Sequence, residues 1–201
     1  MEYFLFAAYL ITVAWLITKV KFFTQSGLTK AQLIIFFLLK VMAGIFYGWI
    51  GVYYWQMAQM VDTWSYHYES LQESALLRSD PVTFFTSLFK NSYEDGYTNF
   101  LVTKNSWWND LKATFFIKLL AIFNLLSFGN YFINIIFYSF ITLFGPVAIY
   151  RVMKSVFPLR KLSILIATFL VPSFIYWTSG LHKDGLIFVG LGLVVYHFYF
   201  G

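Results

Sequence analysis

The stretch ATFFIKLLAIFNLLSFG, Ala113 to Gly129, decides how the whole chain is threaded. It is apolar enough to lie in a membrane, yet it falls short of the about 20 residues that a bilayer core requires and carries Lys118 in its middle. If it crosses, everything after it is inverted. Lys and Arg close to span ends mark cytoplasmic loops, and that bias separates the two readings. With residues 113–129 interfacial or re-entrant, KVKFFTQSGLTK (Lys19, Lys21, Lys30) and RVMKSVFPLRK (Arg151, Lys154, Arg160, Lys161) fall on one side, and neither contains an acid. All nine acids then fall on the other: Glu2, seven from Asp62 to Asp110, and Asp184. A crossing would put the two basic loops in opposite compartments. The expectation is therefore an interfacial or re-entrant helix, with the N-terminus outside.

Composition agrees with a membrane solvent. Of 201 residues, 60% are hydrophobic and only 11% charged, which excludes an ordinary soluble domain. The fold class expected is all-α: a polytopic membrane helical bundle of about five transmembrane helices, with interfacial amphipathic helices in a large outer loop. The spans are roughly 3–20, 32–55, 131–150, 162–178 and 186–200, forming one transmembrane domain over 1–201 with no soluble module. The first run is too long and too aromatic for a signal sequence and reads as a retained anchor. Zero cysteines exclude disulfides and thiol chemistry. The net charge of +5 does not suggest nucleic acid, because the basic residues flank apolar runs. Lys40, inside the second span, is expected to snorkel toward its cytoplasmic end.

The outer loop, about residues 56–112, reads as ordered. In DTWSYHYESLQESALLRSDP a helix starts at Asp62 and runs to about Arg78, and in DPVTFFTSLFKN Asp80 caps a helix with Pro81 at its first position. Val82, Phe85, Leu88 and Phe89 then share a face suited to the membrane surface. SYEDGYTN reads as a turn.

Two places hold candidate chemistry. Asp62, Tyr66, Glu69 and Glu73 follow one another at helical spacing, so an acid and a phenol share a face with two further acids. Asp62 is either a general base at the water edge or a helix N-cap, and the two roles are compatible. In TSGLHKDGL, Thr178 to Leu186, three ionisable groups stand between apolar runs. His182 and Lys183 are either interfacial anchors or a phosphate site helped by backbone N–H groups of the next helix, and Asp184 caps that helix or orients Lys183. His67 and His197 read as ordinary interfacial or interior histidines. Trp55, Trp64, Trp107, Trp108 and Trp177 read as an outer aromatic belt, with sugar stacking as the alternative. Asp62 with Glu69 gives too few carboxylates to argue a divalent cation, so no metal or other cofactor is expected. No phosphate-cradling Gly loop, zinc helix or nucleophile elbow occurs.

The order of parts carries a resemblance. MVDTWSYHYES as a first outer loop, FIKLLAIFNLLSFGNYFINIIFYSFITLFGPVAIYRVMK as a surface helix and following span, and FPLRKLSILIATFLVPSFIYWTSGLHKDGLIF as a hairpin resemble the N-terminal half of polytopic GT-C superfamily glycosyltransferases, over about residues 40–200. The resemblance implies inverting transfer of a sugar from a polyprenyl-phosphate carrier to an acceptor hydroxyl, on the periplasmic side of a bacterial inner membrane, in cell-envelope assembly. It implies Asp62 as catalytic base, with Lys183 and His182 holding the donor phosphate, and membrane lipid as a further partner. Members of that superfamily are longer, so the resemblance implies either a fragment of a longer chain, of which these residues are the N-terminal half, or a compact relative without the donor-binding C-terminal half. The other expectation is a non-catalytic small subunit that scaffolds other membrane subunits. A transporter is disfavoured, since no span carries an interior acid or an inverted repeat.

Overall fold

The computed structural model describes residues 2–53, 62–89 and 107–201, and among them all regular structure is helical. In chain order the helices are α1 (Glu2–Ile17), α2 (Lys21–Thr24), α3 (Lys30–Tyr53), α4 (Asp62–Ser79), α5 (Pro81–Thr86), α6 (Trp107–Ser127), α7 (Tyr131–Thr142), α8 (Phe144–Val156), α9 (Lys161–Phe169), α10 (Pro172–Ser179) and α11 (Lys183–Phe200). Three helices are long and apolar enough to cross a membrane: α3, the α7–α8 rod Tyr131–Val156, and α11. The bent pair α9–α10 makes a fourth if it counts as one span.

Two of the expected spans differ from the observed helices, each for a local reason. Helix α1 stops at Ile17, and at 16 residues it reaches only about 24 Å at the α-helical rise, less than the hydrocarbon core. The expected span 162–178 is broken. Pro172 forces its neighbour Val171 out of the helical region (φ −73°, ψ 112°), and α10 leaves α9 at 49°. Pro146 is gentler: it cannot donate to the Thr142 carbonyl, and the only interruption of the α7–α8 rod lies at Leu143.

The ends of the bundle segregate by charge. At one end Asn130, which caps α7 by accepting from the amides of Phe132 and Ile133, also donates to Glu2 at 3.4 Å. At the other, Lys154 of α8 donates to the Ser26 carbonyl at 3.5 Å, so the two basic loops meet. Between them lies a core of aromatic and branched side chains, with Phe23, Phe37, Ile135, Tyr138 and Leu143 fully buried.

The outer helices are keyed to the bundle by polar contacts. Trp64 stacks on Tyr131 at 4.0 Å and donates to the Gly48 carbonyl at 2.9 Å, while Thr63 and Tyr131 share a hydrogen bond of 2.7 Å. A Cβ at position 48 would collide with the Tyr131 ring, so glycine is required there. Trp64 is thus a core anchor and not a belt residue, whereas Trp177 is half exposed; Trp55 and the side chains of Trp107 and Trp108 lie outside the described residues. Helix α6 lies along α4. Its Lys118 is buried and donates to Glu73 (2.7 Å), the Phe84 carbonyl (2.6 Å) and Ser87 (2.9 Å), with the ammonium 4.1 Å above the Phe84 ring. The lysine in the middle of the deciding stretch therefore has protein partners instead of lipid. A buried chain of side chains ties three helices together: Asn134 of α7 donates to Asn124 of α6 (2.6 Å), which donates to Ser70 of α4 (2.8 Å).

Asp80 caps α5 as expected, accepting from the Thr83 amide, with Pro81 at the first helical position. Val82 and Phe85 are exposed and Phe84 is buried beneath Lys118. The segment SYEDGYTN lies outside the described residues.

Candidate functional site

The polar motif after α10 and the start of α4 meet at the acidic end. Helix α10 is only eight residues long, and its last carbonyls have no further turn to receive. Lys40 of α3 supplies the donors: its buried ammonium bonds the Thr178 carbonyl and hydroxyl, both at 3.1 Å, and the Ser179 hydroxyl at 3.3 Å. A cation at a helix C-terminus also opposes the macrodipole favourably. Lys40 does not snorkel, because a closer set of acceptors lies within the protein. The strap that follows runs against α3, where a Cβ on Gly44 would strike the Ser179 carbonyl at 2.5 Å and one on Gly180 the Tyr47 ring.

His182 ends the strap as the N-cap of α11, with extended backbone (φ −141°, ψ 142°). Its Nε2 is 3.1 Å from the Asp62 carboxylate, 120 residues earlier in the chain. On the other side of the ring, Nδ1 faces two groups, the Asp184 amide at 3.4 Å and the Asp184 carboxylate at 3.2 Å. These suit two protonation states. The neutral ring donates from Nε2–H to Asp62 and accepts the Asp184 amide at Nδ1, and the imidazolium donates from Nδ1–H to the Asp184 carboxylate instead. The Tyr138 hydroxyl donates to the His182 carbonyl and fixes the strap from beneath.

Exposure divides the labour. The His182 side chain is 10% accessible, whereas Asp62 and Asp184 are 64% and 48% accessible, so the histidine is the buried hub and the two carboxylates reach solvent. Asp62 is the first residue of α4, but among the described residues its carboxylate bonds His182 and no backbone amide, which departs from the N-cap reading.

The remaining sequence candidates divide into near and far. Tyr66 lies one turn from Asp62, its ring 6.1 Å from His182 and packed on Phe116. Lys183, first residue of α11, stands beside the cluster half exposed and, among the described residues, without an ion pair. Glu69 is exposed one turn further on and accepts from Ser65 at 2.9 Å; Glu73 is occupied by Lys118. His197 is exposed in the last turn of α11. His67 packs against Trp64 and Tyr131, and burial pushes its pKa down to about 4, opposed in part by a backbone hydrogen bond at Gly129. It is therefore neutral at pH 7 and stands apart from the cluster.

Sequence reasoning missed Lys40 and Tyr138 as supports of the site. For Lys40 a signal existed: a lysine ten residues into a 24-residue apolar helix, with a Thr–Ser pair elsewhere needing a donor. For Tyr138 there was none, since a tyrosine among aromatics carries no directional mark. Among the described residues no group of three or more acidic, His or Cys side chains is arranged to hold a metal ion. No protein-family model, curated protein or solved structure matches the chain.

Proposed function

We propose that the chain is the base-bearing part of a polytopic membrane glycosyltransferase that moves a sugar from a polyprenyl-phosphate donor to an acceptor hydroxyl. The reading rests chiefly on the Asp62–His182 contact at 3.1 Å, which joins two ionisable segments far apart in the chain at one end of the bundle.

In this reading the acceptor hydroxyl binds at the exposed Asp62 carboxylate. As the acceptor oxygen forms its bond to the anomeric carbon, its proton passes to Asp62, and the bond from that carbon to the phosphate oxygen breaks with inversion. The electron pair stays on the departing polyprenyl phosphate. Its extra negative charge needs a cation more than a proton, and Lys183, which among the described residues has no ion pair, supplies it. His182 has both ring nitrogens facing carboxylate groups, so it acts as a positioning residue for Asp62. In this reading the chain sits in a bacterial inner membrane, with its N-terminus and the Asp62 end on the periplasmic side.

The test uses the full chain in lipid nanodiscs with undecaprenyl-phosphate donors carrying radiolabelled glucose, mannose or arabinose, read as release of sugar to water or to added glycoside acceptors. Asp62→Asn is expected to lower the rate by about 10²- to 10⁴-fold, the usual contribution of a general base. Transfer retained within twofold would remove Asp62 as base. Wild-type protein inert with every donor, but still integral to a larger membrane complex, would favour the scaffold role instead.

A further inference from the structure

The basic end of the bundle holds a cleft that the outer site does not use. It measures about 280 Å³ and is lined by Gln25, Ser26, Arg151, Lys154, Ser155 and Phe200. Arg151 is not a free surface arginine. Its guanidinium lies 5.2 Å from the centre of the Phe22 ring and 4.7 Å from that of Tyr196, within cation–π range of both, and the two rings pack edge to face at 5.5 Å. Lys154 is folded over Gly27, whose φ of +82° and missing Cβ leave room for the ammonium, and it reaches the Ser26 carbonyl. Ser155 accepts from Tyr199 at 3.2 Å.

Both cations are half buried, and among the described residues neither has an ion pair. The two basic loops contain no acid that could supply one. Charge held partly out of water without a counter-ion is costly, and a plain interfacial anchor avoids that cost by extending into solvent. These two side chains are instead held inward by aromatic rings and a glycine turn, facing a cleft whose other polar lining is uncharged.

We infer that this cleft binds a phosphate group, with Arg151 and Lys154 as its counter-charges. Arginine suits two phosphate oxygens at once and lysine a third, and a basic pocket between helices at a membrane edge is the usual setting for an anionic headgroup. The same chemistry serves a lipid phosphodiester of the adjoining leaflet or a soluble phosphate. The inference is independent of the outer site.

The experiment is thermal unfolding of the detergent-purified full chain during titration with dioleoylphosphatidylglycerol, dioleoylphosphatidylcholine or inorganic phosphate. The comparison is among wild type, the double variant R151Q/K154Q and the charge-matched control K30Q/K161Q. Saturable stabilisation by phosphatidylglycerol and not phosphatidylcholine, at least tenfold weaker in R151Q/K154Q and retained in the control, supports the site with a lipid as its source. Stabilisation by inorganic phosphate alone, with the same dependence on the variants, supports it with a soluble ligand. Equal stabilisation by the two lipids with none from phosphate, no stabilisation by any of the three, or equal weakening in both double variants overturns it. Should R151Q/K154Q fail to fold, K154Q against K30Q is read by the same criteria.

Discussion

Two glycines of α11, five residues apart, make opposite predictions. A Cβ on Gly185 would meet the Tyr138 hydroxyl, the Thr142 methyl at 2.9 Å and the Thr178 carbonyl at 2.9 Å. None of these yields cheaply, since the carbonyl is held by Lys40 and the hydroxyl is bonded to the His182 backbone. Overpacking of this kind costs about 1–3 kcal/mol, and losing the Tyr138 bond adds about 1 kcal/mol. Alanine returns about 0.5–1 kcal/mol through its better helix propensity, leaving Gly185→Ala about 2 kcal/mol less stable. Gly190 has nothing within 4 Å of its would-be Cβ, so Gly190→Ala keeps only the propensity gain and is about 0.5–1 kcal/mol more stable. The assay is reversible unfolding in mixed micelles by a denaturing detergent, with amide exchange read over residues 180–186. Gly185→Ala should also loosen the strap and depress the proposed transfer, whereas Gly190→Ala should leave both unchanged. Two variants shifting together, or Gly185→Ala matching wild type, would refute the packing described at the His182 cap.

Three further outcomes are expected. Lys118→Met removes the partner of Glu73 and a donor to the Phe84 carbonyl, which keeps a bond from Ser87 at 3.1 Å; Glu73 is 28% accessible and stays partly hydrated, so the loss is about 2–3 kcal/mol. A double-mutant cycle with Glu73→Gln should return a coupling near 1 kcal/mol, and a zero coupling would dismiss the pair. His67 has a folded pKa of about 4 against 6.5 unfolded, so the unfolded chain binds the extra proton first and stability falls as pH drops from 6.5 toward 4, by up to about 3 kcal/mol from this group. His67→Gln should flatten that part of the stability–pH curve, and an unchanged slope would contradict the burial argument. Lys40→Met orphans the Thr178 carbonyl and the Ser179 hydroxyl at about 1–3 kcal/mol each, but it also removes a buried ammonium, so global stability changes little while exchange at 180–185 rises and the proposed transfer falls. Unchanged exchange would show that the strap holds without Lys40.

How much of this was legible before the structure depended on range. Local signals were readable: Asp80 and Pro81 open α5, α4 begins at Asp62, and the apolar length of α3 and α11 marked candidate spans. Charge distribution predicted that Lys19–Lys30 and Arg151–Lys161 share an end, and the Lys154–Ser26 contact joins those loops. Failures came where tertiary partners override a local rule. Lys40 snorkels only if no acceptor is nearer, and Trp64 belongs to a belt only if nothing in the core receives its N–H. In the 162–178 run hydropathy signals a continuous span, whereas Pro172 locally breaks the helix at Val171. Asp62, Tyr66, His182, Lys183 and Asp184 were all singled out from sequence, but nothing in one dimension says that Asp62 faces the ring of His182 and that Glu69 does not.

The segregation of charge also bears on permanence. Turning the molecule over would drag the seven cations of the two basic loops through hydrocarbon, at about 3 kcal/mol apiece even on the gentlest insertion scale, a barrier of about 20 kcal/mol before the acids are considered. Whichever way up the chain is first inserted, it stays. In the proposed membrane arrangement the His182 cluster and the Arg151–Lys154 cleft therefore never sample the same compartment, and a solute that meets one must itself traverse the bilayer to meet the other.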